Sequence, residues 1–138
     1  RLADMGIKPY LVASTVQGIL AQRLVRTICQ SCREPYQPSP EEIFMLSLSP
    51  EQLKDFSLYR GKGCPSCSNT GFKGRMGIYE LLIMNDRIRE LVLDNAPSTA
   101  ICKKAVEFGM RILKEDGLEK VRRGYTTIEE VLRVTQDA

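Results

Sequence analysis

Four cysteines at two matched spacings constrain this chain more than any other feature. Cys29 and Cys32 lie in I-C-Q-S-C-R, and Cys64 and Cys67 in G-C-P-S-C-S, with 31 residues between the pairs. A C-x-x-C turn aims two thiolates at one centre, and two such turns complete a tetrahedral four-thiolate site. The chain has no histidine, which excludes mixed cysteine–histidine zinc sites. The expectation is a structural Zn2+ centre held by Cys29, Cys32, Cys64 and Cys67. Its four ligand positions are filled, leaving no place for water and therefore no metal catalysis. Two disulfides are the plain alternative. Bridging within either pair would strain a very short loop. Cys102 would be left unpaired, and the sequence offers no signal peptide, both of which favour a reducing compartment. Redox and iron–sulfur uses stay open, although one redox pair does not explain a second.

With 138 residues, 43% of them hydrophobic, the chain can bury one modest core or two small ones. No apolar run approaches the roughly 20 residues of a membrane span. The formal charge is +3, and the excess sits in residues 1–28, where Arg1, Lys8, Arg23 and Arg26 face only Asp4. A Zn2+ bound by four thiolates is itself a doubly negative centre. Arg26, Arg33, Lys62, Lys73 and Arg75 lie near the ligands in sequence, where they are expected to offset it. That weakens a nucleic-acid reading, which needs a surplus basic face.

Residues 1–7 read as the end of a helix with Gly6 as its C′ residue, in a piece of a longer protein. Pro9 opens an apolar helix over 9–20, carrying Leu11, Val12, Val16, Ile19 and Leu20. A strand over 21–28 leads into the first cysteine pair. Between the pairs, Ser39-Pro40-Glu41-Glu42 is a capping box, and Ser49-Pro50-Glu51-Gln52 repeats the device. Two short helices, 40–47 and 50–56, are predicted to pack Ile43, Leu46, Leu53 and Phe56 over the metal, which staples a cluster too small to hold alone. Residues 68–77, with Gly71, Gly74 and Gly77, read as a turn-rich exit rather than a phosphate loop. A buried strand follows over 78–84. G-x-x-x-x-G-K-[ST] occurs nowhere in the chain.

The last third reads as four helices. Asn85 caps the first, Ser98 starts the second, which Gly109 closes, and the third runs from 111 to 123 before Gly124. Thr127 and Glu130 form a capping box for the last. Cys102 reads as a small core residue. Lys114, Glu115, Asp116, Glu119, Lys120, Arg122 and Arg123 read as a solvated face.

Several stretches in order carry a resemblance: R-L-x-D-M-G-I at 1–7, A-Q-R-L-V-R-T-I-C-Q-S-C-R at 21–33, G-C-P-S-C-S-N-T-G-F-K-G-R-M-G-I-Y-E-L-L at 63–82, and E-D-G-L-E-K-V-R-R-G-Y-T-T-I-E-E-V-L-R-V at 115–134. Together they resemble the C-terminal part of the type II secretion and type IV pilus assembly ATPases, the GspE/PilB family. The resemblance implies an α+β, mainly helical fold. Residues 1–28 would be the end of a RecA-like ATPase core, 29–79 a tetracysteine zinc-binding subdomain, and 80–138 a C-terminal helical subdomain.

It also implies a parent that is a cytoplasmic, hexameric motor, peripheral to the bacterial inner membrane. That motor would use ATP and Mg2+ to drive pilin or pseudopilin assembly and protein export. Its partners would be neighbouring subunits and an inner-membrane platform protein. The Walker boxes and histidine box of that family are missing, so no catalytic or nucleotide-binding residue is assigned, and this chain alone is expected to be inactive. Arg23 and Arg26 could reach a nucleotide edge or a neighbouring subunit, but neither is taken as a site residue.

Two other classes compete. A zinc-ribbon nucleic-acid module fits the cysteine pairs but not the near-neutral charge, the absence of Trp and the few aromatics. A J-domain-type cysteine-rich chaperone module fits C-P-S-C-S-N-T-G-F-K-G, but only one pair carries the glycine tail.

Overall fold

The computed structural model describes residues 1–54 and 56–136. Among them are six α-helices and four strands, a mixed α+β class. In chain order they are α1 (Pro9–Thr15), β1 (Gly18–Ile28), β2 (Arg33–Tyr36), α2 (Pro40–Met45), β3 (Leu58–Gly61), β4 (Phe72–Ile83), α3 (Asp86–Leu93), α4 (Ser98–Glu107), α5 (Leu113–Arg122) and α6 (Ile128–Thr135). The chain forms two compact units, Arg1–Ala21 with Glu80–Ile112, and Gln22–Tyr79 with Leu113–Ala138. β1 pairs with β4, and both strands pass from one unit into the other.

All the helices are short, and a recurrent device stops them. The residue after the last turn takes a left-handed conformation, and two reverse hydrogen bonds close the end. Asn95 does this after α3, Gly109 after α4 and Gly124 after α5. The paired bonds are Asn95 N–H to Val92 O with Ala96 N–H to Leu91 O, Gly109 N–H to Val106 O with Met110 N–H to Ala105 O, and Gly124 N–H to Val121 O with Tyr125 N–H to Lys120 O. Gly6 closes the opening turn in the same way, as the sequence predicts. Helices of this length do not persist alone in water and depend on packing.

In the first unit, Met84, Ile88 and Ala105 form the buried centre, with Val16, Leu82, Val92, Ile101 and Met110 against it. Arg89 Nε donates to Ala13 O at 3.0 Å, placing a cation at the carbonyl end of α1. The helix predicted over 9–20 is shorter than expected. It stops at Thr15, Val16 is extended, and β1 begins at Gly18. Ser14 and Thr15 turn their hydroxyls back onto Leu11 O, and glycine then favours leaving the helix. Cys102 is only half-buried and lies outside the core, and Phe108 is exposed.

The second unit holds the cysteines. β2 and β3 pair antiparallel, from Arg33 opposite Gly61 to Tyr36 opposite Leu58. The Ser39 capping box forms in full. The second box also closes, Ser49 and Gln52 exchanging bonds, but it starts only a single 3-10 turn, Gln52–Lys54, in place of a helix over 50–56. Residue 55 lies outside the described residues. Of the four residues predicted to pack over the metal, only Leu46 is fully buried. The glycine-rich exit is shorter than predicted too. β4 begins at Phe72 and carries Gly74, at φ +84, and Gly77 inside the strand.

α5 and α6 approach closely because Gly117 has no side chain. A Cβ there would lie 2.6 Å from Val131 Cγ1. The charged run on α5 is not wholly solvated: Asp116 is buried, accepting from Tyr79 N–H at 2.9 Å and Lys120 Nζ at 2.6 Å. The Thr127–Glu130 box forms only by half. Thr127 Oγ1 accepts from Glu130 N–H, but the Glu130 carboxylate turns elsewhere. It takes Arg26 N–H at 2.8 Å, Arg26 Nη2 at 2.8 Å and Arg133 Nη2 at 2.9 Å. Burial alone would raise the Glu130 carboxyl, yet donation by Arg133 and Arg26 holds it down at about 2.

Two outcomes follow from this packing. Gly117→Val should destabilise the chain by about 1–3 kcal/mol through overpacking against Val131, read as a lower urea midpoint. Because the Glu130 carboxyl is depressed, its contribution is complete above the ordinary carboxylate range and fades as pH falls towards 2. Glu130→Gln should therefore lose about 2 kcal/mol at pH 7, a figure discounted because both guanidiniums are half-exposed. The gap between wild type and variant should narrow as pH falls below about 4 and close near pH 2; equal midpoints at pH 7 would remove Glu130 as a structural tie.

Candidate metal centre

The β2–β3 pair is what brings the two cysteine turns together. Cys32 immediately precedes β2, and Gly63 and Cys64 follow β3, so the open end of the ladder sets them side by side. Lys62 N–H donates to Cys32 O at 3.1 Å, and Gly63 N–H to Cys32 Sγ at 3.3 Å. Cys29 immediately follows β1, and its N–H donates to Gly71 O at 2.9 Å. The second turn is a 3-10 turn over Pro65–Cys67, closed by Ser68 and Asn69 at positive φ. Asn69 N–H reaches Cys64 O at 2.9 Å, and Thr70 Oγ1 donates to Cys67 O at 2.7 Å.

Gly71 joins the turns. Its carbonyl takes the Cys29 N–H, and its own N–H donates to Cys67 Sγ at 3.3 Å. It stands at φ +80 directly against Gly61, where an added Cβ on Gly61 would fall 1.9 Å from Gly71 O. Two backbones can pass this closely only if neither residue carries a side chain.

All four sequence-predicted ligands converge. Their Sγ atoms lie within 4.8 Å of one another, those of Cys29 and Cys67 buried and those of Cys32 and Cys64 half-buried. Cys29 to Cys64 is 3.8 Å, Cys32 to Cys67 is 3.9 Å and Cys64 to Cys67 is 3.7 Å. A disulfide needs about 2.05 Å, and all five cysteines are free. A metal bound at about 2.3 Å by four sulfurs has sulfurs about 3.8 Å apart along each tetrahedral edge. The donor set therefore has the spacing to hold a metal ion.

Its electrostatics point the same way. Burial opposes ionisation of Cys67, but N–H donation from Cys64 and Gly71 outweighs it and brings the thiol down to about 6. Cys29 is also lowered: burial is outweighed by the N–H groups of Ser31 and Cys32. Cys32 moves the other way, pushed up to about 11 chiefly by burial, against the Gly63 N–H. Four sulfurs this close cannot all be thiolates without a cation between them.

The nearby basic residues do less for the centre than their sequence positions suggest. Arg26 is committed to Glu130 and lies over the Phe72 ring, 4.2 Å from its centroid. Arg33 stacks on Tyr59 at 3.6 Å. Lys73 donates to Ser66 Oγ inside the second turn, while Lys62 and Arg75 are exposed. Sequence reasoning missed Glu130, Asp116 and the Gly61–Gly71 contact. The cue to Gly71 was the glycine four residues after Cys67; nothing local marks Glu130 as buried, since its partner Arg26 is far away in the chain.

The comparisons with known proteins agree with one another. The type II/IV secretion system protein family matches residues 1–133. The chain is 43% identical over its whole length to the type II secretion system ATPase E of Vibrio cholerae, of which it spans 27%. It is 42% identical over 98% of its length to the type IV pilus assembly ATPase PilB of Thermus thermophilus, spanning 15% of that protein. Type II secretion system protein E of Xanthomonas campestris is 48% identical over the full chain, which covers 24% of it. This chain thus corresponds to about a quarter or less of each relative's length, and it belongs to the type II/IV secretion system protein family.

Proposed function

We propose that this chain is the zinc-binding and helical region of a type II secretion or type IV pilus assembly ATPase. The spacing of the four sulfurs carries the zinc part of the reading, and the names of the relatives carry the rest. Cys29, Cys32, Cys64 and Cys67 would hold a structural Zn2+, which supplies folding energy rather than a reactive water. The chain's own residues prepare the site. Gly63, Cys64 and Gly71 direct N–H groups at sulfur, which favours thiolates, and the β2–β3 pair fixes the distance between turns.

In this reading residues 1–28 complete a RecA-like core, 29–79 form the zinc-binding subdomain and 80–138 the C-terminal helical subdomain. Residues 137 and 138 of the last lie outside the described residues. The parent would be a hexameric, cytoplasmic ATPase at the inner membrane, using Mg-ATP to power pilin or pseudopilin assembly and export. It would contact neighbouring subunits and a membrane platform protein, and no nucleic acid. Among the described residues no helix is long and apolar enough to cross a membrane, which suits a peripheral position.

Metal analysis of the purified chain should find about one zinc per chain, replaceable by Co2+ with thiolate charge-transfer absorption. Cys64→Ser with Cys67→Ser should abolish it. A metal-free preparation that melts and digests like the untreated one would overturn structural zinc. The 138-residue chain, which contains no G-x-x-x-x-G-K-[ST], should show no ATP turnover above background. Turnover that survives repurification would overturn the accessory role.

A further inference from the structure

We infer that metal occupancy at the four cysteines and the order of the α5–α6 hairpin form one coupled equilibrium: loading the metal sets the C-terminal helices, and losing it releases them. This rests on the metal reading above.

The couplers are specific. Ile28, one residue before the first ligand, donates its N–H to Tyr125 O in the α5–α6 connection at 2.9 Å. Cys29 N–H then goes to Gly71 O, and Gly71 N–H to Cys67 Sγ. A run of two backbone hydrogen bonds and one N–H to sulfur thus leads from the hairpin to both cysteine turns. On the other side Arg33, the residue after Cys32, is packed between Tyr59 and Gly124. A Cβ at 124 would stand 2.4 Å from Arg33 Nη2 and 2.8 Å from Tyr59 Cδ2. Arg33 Nε is buried without a hydrogen-bond partner. Packing places this side chain, over the Tyr59 ring on one side and against Gly124 on the other.

Two further ties close the arrangement: Thr126 Oγ1 donates to Arg26 O at 2.7 Å, and Arg122 Nη2 to Leu46 O at 2.6 Å. Helices of ten and eight residues have little stability of their own. Removing a bound ion would remove the link between the two cysteine turns, and with it the restraint on the end of β1 and the start of β2 that seats Tyr125 and Arg33. Because linkage is reciprocal, bound metal favours the ordered hairpin by the same factor by which the ordered hairpin favours metal binding, so a variant that disorders the hairpin must bind metal more weakly.

The test is amide hydrogen exchange on the full chain, zinc-loaded and after chelation, with zinc content measured in each sample. Coupling predicts exchange in residues 113–136 at least about tenfold faster after zinc removal, with α3 and α4 changed by less than about twofold. In the reverse direction, Gly124→Val, which leaves the cysteines alone, should bind zinc about tenfold more weakly, read at equilibrium by competition with a chelating dye. Thr126→Val is the milder variant should Gly124→Val not fold, and about threefold is expected. A chain that takes up no zinc overturns the metal reading and the coupling together. A chain that binds zinc, yet keeps full protection in 113–136 when stripped, overturns the coupling alone. So does a variant with a loosened hairpin and an unchanged zinc affinity.

Discussion

Gly71 is the point on which the cysteine-bearing unit turns. Its carbonyl receives Cys29 N–H and its N–H supports Cys67 Sγ, so one residue ties the end of β1 to the second cysteine turn. That needs a positive φ and a bare α-carbon facing Gly61. With the β2–β3 pair, that junction holds the two cysteine turns side by side. A side chain at either glycine would push apart the two backbones that bring the thiols within reach of one ion.

What could be read from the sequence was what is local. The C-x-x-C pairs announced a four-sulfur cluster. Ser39, Asn85 and Thr127 marked helix starts, and Gly6, Gly109 and Gly124 marked stops, because caps work through residues three or four apart. The errors came where a distant partner overrode a local preference. Glu130 has the spacing of a capping-box acid, yet two guanidiniums offered a stronger set of bonds than Thr127 N–H. Asp116 looks like one charge in a solvated run, but the bare N–H of Tyr79 draws it inward. Helix 9–20 and the glycine-rich exit failed for a different reason. Apolar residues at 16, 19 and 20 have helical spacing, but Gly18 weakens the helix there and pairing of β1 with β4 decides for the strand.

Charge around the sulfurs is arranged by backbone more than by side chains. The flanking Arg and Lys residues looked like counterions when only their distance along the chain was known. Arg26 and Arg33 instead spend their guanidiniums on Glu130 and Tyr59. The N–H groups of Ser31, Cys32, Gly63, Cys64 and Gly71 carry the local stabilisation of negative sulfur. Dipoles fixed in tight turns do this without ordering a long side chain, and salt screens them little.

The two units are interleaved along the chain, and this bears on the order in which they can form. The cysteine-bearing unit starts at Gln22 but is complete only with the segment from Leu113, whereas the other has all its parts once Ile112 has been made. A chain emerging from the ribosome finishes first the unit that closes around Ile88 and Ala105. All four cysteines are by then outside, with Glu130 and Tyr125 still to come. The first cysteine pair must spend that interval without the hydrogen bonds that Tyr125 and Glu130 later make to Ile28 and Arg26, just ahead of Cys29.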